Sequence, residues 1–144
     1  MICLQSIQFR YPQSSFRLSI PQLEIKETEK VAVVGPSGCG KTTLLNLISG
    51  ILVPDQGTLI SCDIDLNTLN DSQRRVYRIS KIGFVFQEFE LIDYLNVREN
   101  ILLPYYINQA LKLDQSVQDR VQELAVSMQI DQYLNGRIDQ ISQG

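Results

Sequence analysis

Along the first 25 residues, apolar and polar positions alternate. Ile7, Phe9 and Tyr11 are separated by Gln8 and Arg10, and Phe16, Leu18 and Ile20 by Arg17 and Ser19, which is the two-residue period of a half-buried strand. Pro12-Gln13-Ser14-Ser15 between the runs supplies turn residues, and Pro21-Gln22 is expected to break the second run. The pattern predicts an antiparallel hairpin with one face on a core. Lys30-Val31-Ala32-Val33-Val34 differs, with four consecutive apolar residues and no alternation, as in a strand covered on both faces of a parallel sheet. The chain then passes through a glycine-rich stretch to Leu44, Leu45, Leu47 and Ile48, a helical stripe that ends at Gly50.

Farther along, Gly57–Ser61 predicts a short strand and Ser72–Ile79 a helix. Ile82-Gly83-Phe84-Val85-Phe86 predicts a second buried strand, ending at Gln87. Val97–Leu103 reads as a helix stopped by Pro104. Asp114–Met128 is amphipathic, with Val117, Val121, Leu124, Ala125 and Met128 on one face and a Ser116-x-x-Asp119 start signal. The sequence has no internal repeat and no Gly/Ser-rich linker.

Composition narrows the classes. The 144 residues amount to about one domain, and 44% hydrophobic with 20% charged residues excludes disorder. A formal charge of −3 argues against a nucleic-acid partner, which calls for basic surface. No run approaches the ~20 apolar residues of a membrane span, since Leu44–Val53 is interrupted by Asn46, Ser49 and Gly50. Met1-Ile2-Cys3-Leu4-Gln5 lacks the basic-then-apolar pattern of a secretory signal, so a cytosolic location is expected. There is no histidine, which excludes a Ser-His-Asp triad or a Cys-His pair within these residues. Cys3, Cys39 and Cys62 are too scattered for a zinc site or a disulfide framework and read as free thiols.

The chemistry concentrates in Gly35-Pro36-Ser37-Gly38-Cys39-Gly40-Lys41-Thr42-Thr43. Gly35-x-x-x-x-Gly40-Lys41-Thr42 is the complete P-loop pattern, set between a predicted strand and a predicted helix. Glycines let successive N–H groups turn inward toward phosphate oxygens. The helix start adds its unpaired N–H groups and positive dipole end. Lys41 brings a point charge for the β- and γ-phosphates, and the Thr42 hydroxyl is a hard ligand suited to Mg²⁺. Thr43 is expected to bond farther back along the phosphate chain. A plain strand-to-helix turn would account for the glycines but not for the lysine and two hydroxyls. Cys39 reads as a small spacer.

Three features beyond the loop narrow the class. The motif follows a hairpin that carries Tyr11, no Asn-Lys-x-Asp guanine-reading motif is present, and Gln87 closes a buried-type run. Together these resemble the ATP-binding subunits of ABC transporters. Tyr11 is similar to that family's adenine-stacking aromatic, although it could equally pack in the hairpin core. Gly35–Thr43 is similar to its Walker A motif, and Gly83-Phe84-Val85-Phe86-Gln87 to the strand leading into its Q-loop. Gln140-Ile141-Ser142-Gln143-Gly144 resembles the opening of its Leu-Ser-Gly-Gly-Gln signature, with Ile141 for leucine and Gln143 for the first glycine. Leu91–Ile101 with Leu103-Pro104 is most like the lipoprotein-release and macrolide-export group, apart from Asp93 where proline is common.

The resemblance implies an α/β fold, with a P-loop NTPase core, an N-terminal antiparallel hairpin and part of a helical subdomain, incomplete at the C-terminus. The core would cover residues 1–87 and the helical part 88–144. It implies ATP and Mg²⁺ as ligands, a second ATP-binding subunit stacked head to tail in a homodimer, a membrane permease subunit, and a place on the cytoplasmic face of the membrane. Tyr11 would stack on adenine, Gly38–Thr43 would hold the phosphates, and Thr42 with Gln87 would hold Mg²⁺. Ser142 and Gly144 would approach the nucleotide of the other subunit. These 144 residues include no apolar strand ending in Asp-Glu, so the expectation is nucleotide binding without efficient hydrolysis. Two alternatives stay open from sequence: a soluble P-loop kinase or GTPase, and a non-hydrolytic remnant that binds a partner.

Overall fold

The computed structural model describes residues 1–86 and 90–140. The chain divides into two compact units, Met1–Ile82 and Gly83–Gly144. In the first unit, strands β1 (Ile2–Arg10) and β2 (Arg17–Ile25) form the predicted hairpin, with Ile7 opposite Ile20 and Phe9 opposite Leu18. Helix α1 (Lys41–Ile48) follows the glycine loop. Strands β3 (Gln56–Ser61) and β4 (Ile64–Asp65) and helix α2 (Asp71–Lys81) complete the unit. The sheet order is β2-β1-β3-β4 and every pairing is antiparallel.

Leu4, Ile7 and Phe9 of β1 all lie in the core with Leu47 of α1, Leu59, Leu66 and Tyr77 of α2. Leu4 and Ile7 are three positions apart, which a regular two-residue period would put on opposite faces. A bulge resolves the conflict. Ser6 has φ 52°, and on β3 the partners step from Thr58, opposite Gln5, to Gln56, opposite Gln8. Two residues of β1 therefore face Gly57 alone, and the apolar set is brought back into phase. Gly57 has φ 96°, and a Cβ there would stand 2.5 Å from the carbonyl oxygens of Gln5 and Ser6. Only glycine suits this contact.

The second unit holds helices α3 (Val97–Ile107) and α4 (Gln115–Ser127) and two short 3-10 turns, Asp131–Tyr133 and Ile138–Gln140. Its core is Val97, Leu102, Val121, Ala125 and Leu134. Asn96 caps α3 through a reciprocal pair of bonds with Glu99, each 2.8 Å, and Asn70 and Gln73 do the same for α2 at 2.9 Å.

Several sequence expectations are corrected. Val31–Val34 is not a strand; Val33 is 42% and Val34 86% exposed. A doubly covered strand needs hydrogen-bonded neighbours, and the four described strands pair only with one another. Ile82–Phe86 likewise belongs to no described strand, with Val85 92% exposed and the Phe84 and Phe86 rings stacked at 5.4 Å. Pro21 does not end β2, because β2 is an edge strand where a missing N–H is tolerated. Pro104 does not stop α3, since Leu102 and Tyr105 on either side are packed into the core. The cap of α4 is Asp114 rather than Ser116. Its Oδ1 accepts from the Ser116 hydroxyl at 2.6 Å and Val117 N–H at 3.2 Å, which holds the carboxyl below its ordinary pKa. Leu124 and Met128 face solvent, leaving Val117, Val121 and Ala125 as the packed face of α4.

Candidate functional site: the glycine loop and the start of helix α1

The loop curls as its composition requires. Gly38 and Gly40 have φ of 78° and 102°, and Cys39 N–H bonds back to Pro36 O at 3.4 Å. Gly40 serves as the N-cap of α1, and the first bond of the helix turn runs from Leu44 N–H to Gly40 O at 2.8 Å. The N–H groups of Lys41, Thr42 and Thr43 precede that bond, so they are the first-turn donors that α-helix geometry leaves without intrahelical acceptors. Together with the helix dipole they form an electropositive end.

Lys41 Nζ folds back over the loop, donating to Gly35 O and Pro36 O at 2.8 Å each, with Cys39 Sγ at 3.8 Å. Thr42 is exposed, and Thr43, one residue on, is 6% exposed and faces inward. Its Oγ1 is 3.1 Å from the hydroxyl of Tyr11, at the end of β1. Tyr11 is half-buried, packed edge-on against Phe9 at 4.9 Å and tilted against Phe16 at 5.9 Å. Phe16 and Leu18 close over Gly40, where a Cβ would lie 3.0 and 3.2 Å from their side chains. The hairpin and the phosphate loop are thus fitted to each other through Gly40 and Thr43.

The structure therefore brings together Tyr11, Gly35, Pro36, Ser37, Gly38, Cys39, Gly40, Lys41, Thr42 and Thr43. Gln87, Ser142 and Gly144 lie outside the described residues. Sequence reasoning missed Phe16, whose strand alternation marked it only as a packing residue. It also missed the bond between Tyr11 and Thr43, because no pattern links residues 32 positions apart.

The donor set suits a polyphosphate. One ammonium, two hydroxyls and a helix N-terminus are all donors, and their acceptors at Lys41 are neutral carbonyls that an anion can replace. The space beside Gly38 is open, with no atom within 4 Å of where a Cβ would stand. Among the described residues no group of three or more His, Cys, Asp or Glu side chains could hold a metal by itself. The exposed Thr42 hydroxyl is a hard oxygen of the kind that suits Mg²⁺.

Comparison with known proteins agrees with this geometry. Residues 18–144 match the ABC transporter family, and the chain belongs to it. It is 42% identical over 127 residues to the ABC transporter ATP-binding protein YvcR of Bacillus subtilis (strain 168), covering 88% of this chain and 48% of YvcR. It is 35% identical over 144 residues to the thiamine import ATP-binding protein ThiQ of Vibrio vulnificus (strain YJ016), covering all of this chain and 57% of ThiQ. The chain thus spans about half the length of these relatives. Among solved structures, it superposes on the dimeric ATP-binding cassette MJ0796 bound to ADP and Pi with a TM-score of 0.78 and 31% identity, over 99% of this chain and 63% of that one. The fold is the P-loop NTPase fold of ABC ATPases, which sets aside the kinase and GTPase alternative.

Proposed function

We propose that the chain carries the nucleotide-binding loop of an ABC transporter ATPase, which holds ATP at Gly35–Thr43 and couples its binding and hydrolysis in the intact subunit to transport. The observation that carries this reading is Lys41 Nζ folded onto the Gly35 and Pro36 carbonyls of a curled glycine loop that leads, through its N-cap Gly40, directly into the start of α1. Lys41 exchanges its two carbonyls for β- and γ-phosphate oxygens, and the loop amides and Thr43 hold the phosphates farther back. Thr42 and Gln87 would hold Mg²⁺, which when bound would neutralise phosphate charge. The Tyr11 ring offers a flat face to adenine. Ser142 and Gly144 reach the nucleotide of a second subunit in a homodimer.

The partner proposed across the membrane face is a permease subunit, contacted from the cytoplasmic side. Among the described residues no helix is long and apolar enough to cross a membrane. Leu91–Pro104 supports the lipoprotein-release and macrolide-export group, and with it export. ThiQ carries import in its name, so direction is a matter for transport assays.

These 144 residues by themselves are proposed to bind ATP without efficient turnover. The 144 residues include no apolar strand ending in Asp-Glu and no histidine, the groups expected to orient an attacking water. The test is calorimetric titration of the full chain with Mg²⁺ and ATP or GTP, beside a phosphate-release assay. Saturable ATP binding with background phosphate release is expected. Absence of ATP binding overturns the nucleotide reading, and phosphate release that Lys41→Ala abolishes overturns the claim about turnover.

A further inference from the structure

We infer that the Tyr11 hydroxyl is a positioning group for the phosphate site: it donates to Thr43 Oγ1 and thereby aims the Thr43 proton at phosphate. The inference rests on the nucleotide reading above and assigns Tyr11 a part in it separate from any contact of its ring with a base.

The geometry supplies the first step. The two oxygens are 3.1 Å apart, either one able to donate, and Thr43 is 6% exposed. Phe9, edge-on at 4.9 Å, and Phe16, tilted at 5.9 Å, both pack against the tyrosine ring. The hydroxyl is thereby held at the third residue of α1, within the first turn, whose N–H groups have no intrahelical acceptors.

Proton counting supplies the second step. A hydroxyl has one proton to give and can accept from others. Inner phosphate oxygens at neutral pH carry no proton and only accept. If Thr43 gave its proton to Tyr11, it would have none for phosphate. The arrangement compatible with a bound polyphosphate is therefore a chain in one sense, from Tyr11 to Thr43 to phosphate. In such a chain each bond polarises the next, and the shielded setting of Thr43 strengthens the effect. Without the tyrosine hydroxyl, Thr43 keeps its proton but loses both the donor to its oxygen and the restraint on its rotation.

The test uses inorganic tripolyphosphate, which has phosphates and no base. Its affinity for the full chain is measured by titration for the wild type, Tyr11→Phe, Thr43→Val and the double variant, with Thr43→Ser as the conservative control. Tyr11→Phe is expected to weaken tripolyphosphate binding about threefold to tenfold, the range for one hydrogen bond. On the Thr43→Val background it should have no further effect, because the bond it would remove is already gone. Thr43→Ser, which keeps the hydroxyl, should restore the sensitivity to Tyr11→Phe. Equal tripolyphosphate affinity for wild type and Tyr11→Phe overturns the inference while leaving ATP binding intact. Additive effects in the double variant also overturn it, since they would mean that Tyr11 acts through general packing. If the wild type binds neither ATP nor tripolyphosphate, the nucleotide reading itself fails.

Discussion

Lys41 turns its ammonium onto the loop that precedes it, donating from Nζ to the carbonyl oxygen of Gly35 at 2.8 Å. The carbonyl of Pro36 accepts from the same group. The cation is thus satisfied by neutral acceptors of its own loop. The ammonium is attracted more strongly to an anionic oxygen than to a neutral carbonyl dipole, so a phosphate oxygen can displace the carbonyls. The exchange still lowers apparent affinity by the fraction of time the lysine stays bound to its own loop.

Lys41→Ala should weaken ATP binding about 10- to 100-fold, from ~1.5–3 kcal/mol for a charged hydrogen bond. The bonds it loses are exposed, so thermal stability should move little, within about 0.5 kcal/mol for such a site. Titration calorimetry beside a thermal melt checks both parts.

Tyr77 in α2 is buried, and its hydroxyl bonds with Ser61 Oγ at 2.6 Å and Ile48 O at 3.3 Å. Tyr77→Phe leaves the fully buried Ser61 hydroxyl without that partner and should cost about 1–3 kcal/mol of stability, read by denaturant unfolding. Burial raises the Tyr77 pKa above 10.0, the charge of Cys62 adds to this, and the Ser61 bond opposes it. The unfolded chain therefore gives up the phenolic proton at lower pH than the folded one. This contribution to stability is complete below 10.0 and is lost as pH rises through the folded value. Tyr77→Phe should remove that part of the alkaline loss.

Gly57→Ala should destabilise the first unit by at least about 2 kcal/mol, because it places a side chain at positive φ and drives it into backbone. The overlap is with the carbonyls of Gln5 and Ser6 at 2.5 Å, which cannot rotate away as a side-chain tip could. The midpoint of urea unfolding measures the loss.

Asn96→Ala should cost about 1 kcal/mol by removing the cap of α3. A separate effect is expected at Asn100. Its Oδ1 accepts from Ile92 N–H at 2.8 Å, and its Nδ2 lies within 3.0–3.2 Å of the carbonyls of Ile92, Leu95 and Asn96. Asn100→Asp keeps the acceptor and loses the donors, so amide hydrogen exchange should quicken across residues 92–96 without melting α4.

Signals carried by neighbouring residues were the legible ones. The hairpin, the strand Gln56–Ser61 and the helices could be read because their periodicity reports a single buried face, as at Ile7, Phe9 and Val121. The caps were not among them: Asn70 with Gln73 and Asn96 with Glu99 form reciprocal caps that were not anticipated, and the start signal at Ser116 gave way to Asp114. The glycine loop was legible because its chemistry is contiguous. What sequence hid depends on partners far along the chain. Val31–Val34 looked like an interior strand because apolar content reports a preference for burial, whereas becoming a strand also takes flanking hydrogen bonds. Ser6 gave no hint of its bulge except the odd spacing of Leu4 and Ile7. Pro104 was overruled by packing on both sides of it.

The uncovered run at Val31–Val34 has a practical consequence. Exposed main chain outside any ladder, carrying four small apolar side chains, is the raw material of intermolecular sheet, and nothing charged interrupts it between Lys30 and Gly35. In a purified sample of these 144 residues that stretch is therefore the expected seed of aggregation, read by light scattering as concentration rises. A single acidic residue at position 34 would act as a gatekeeper against it.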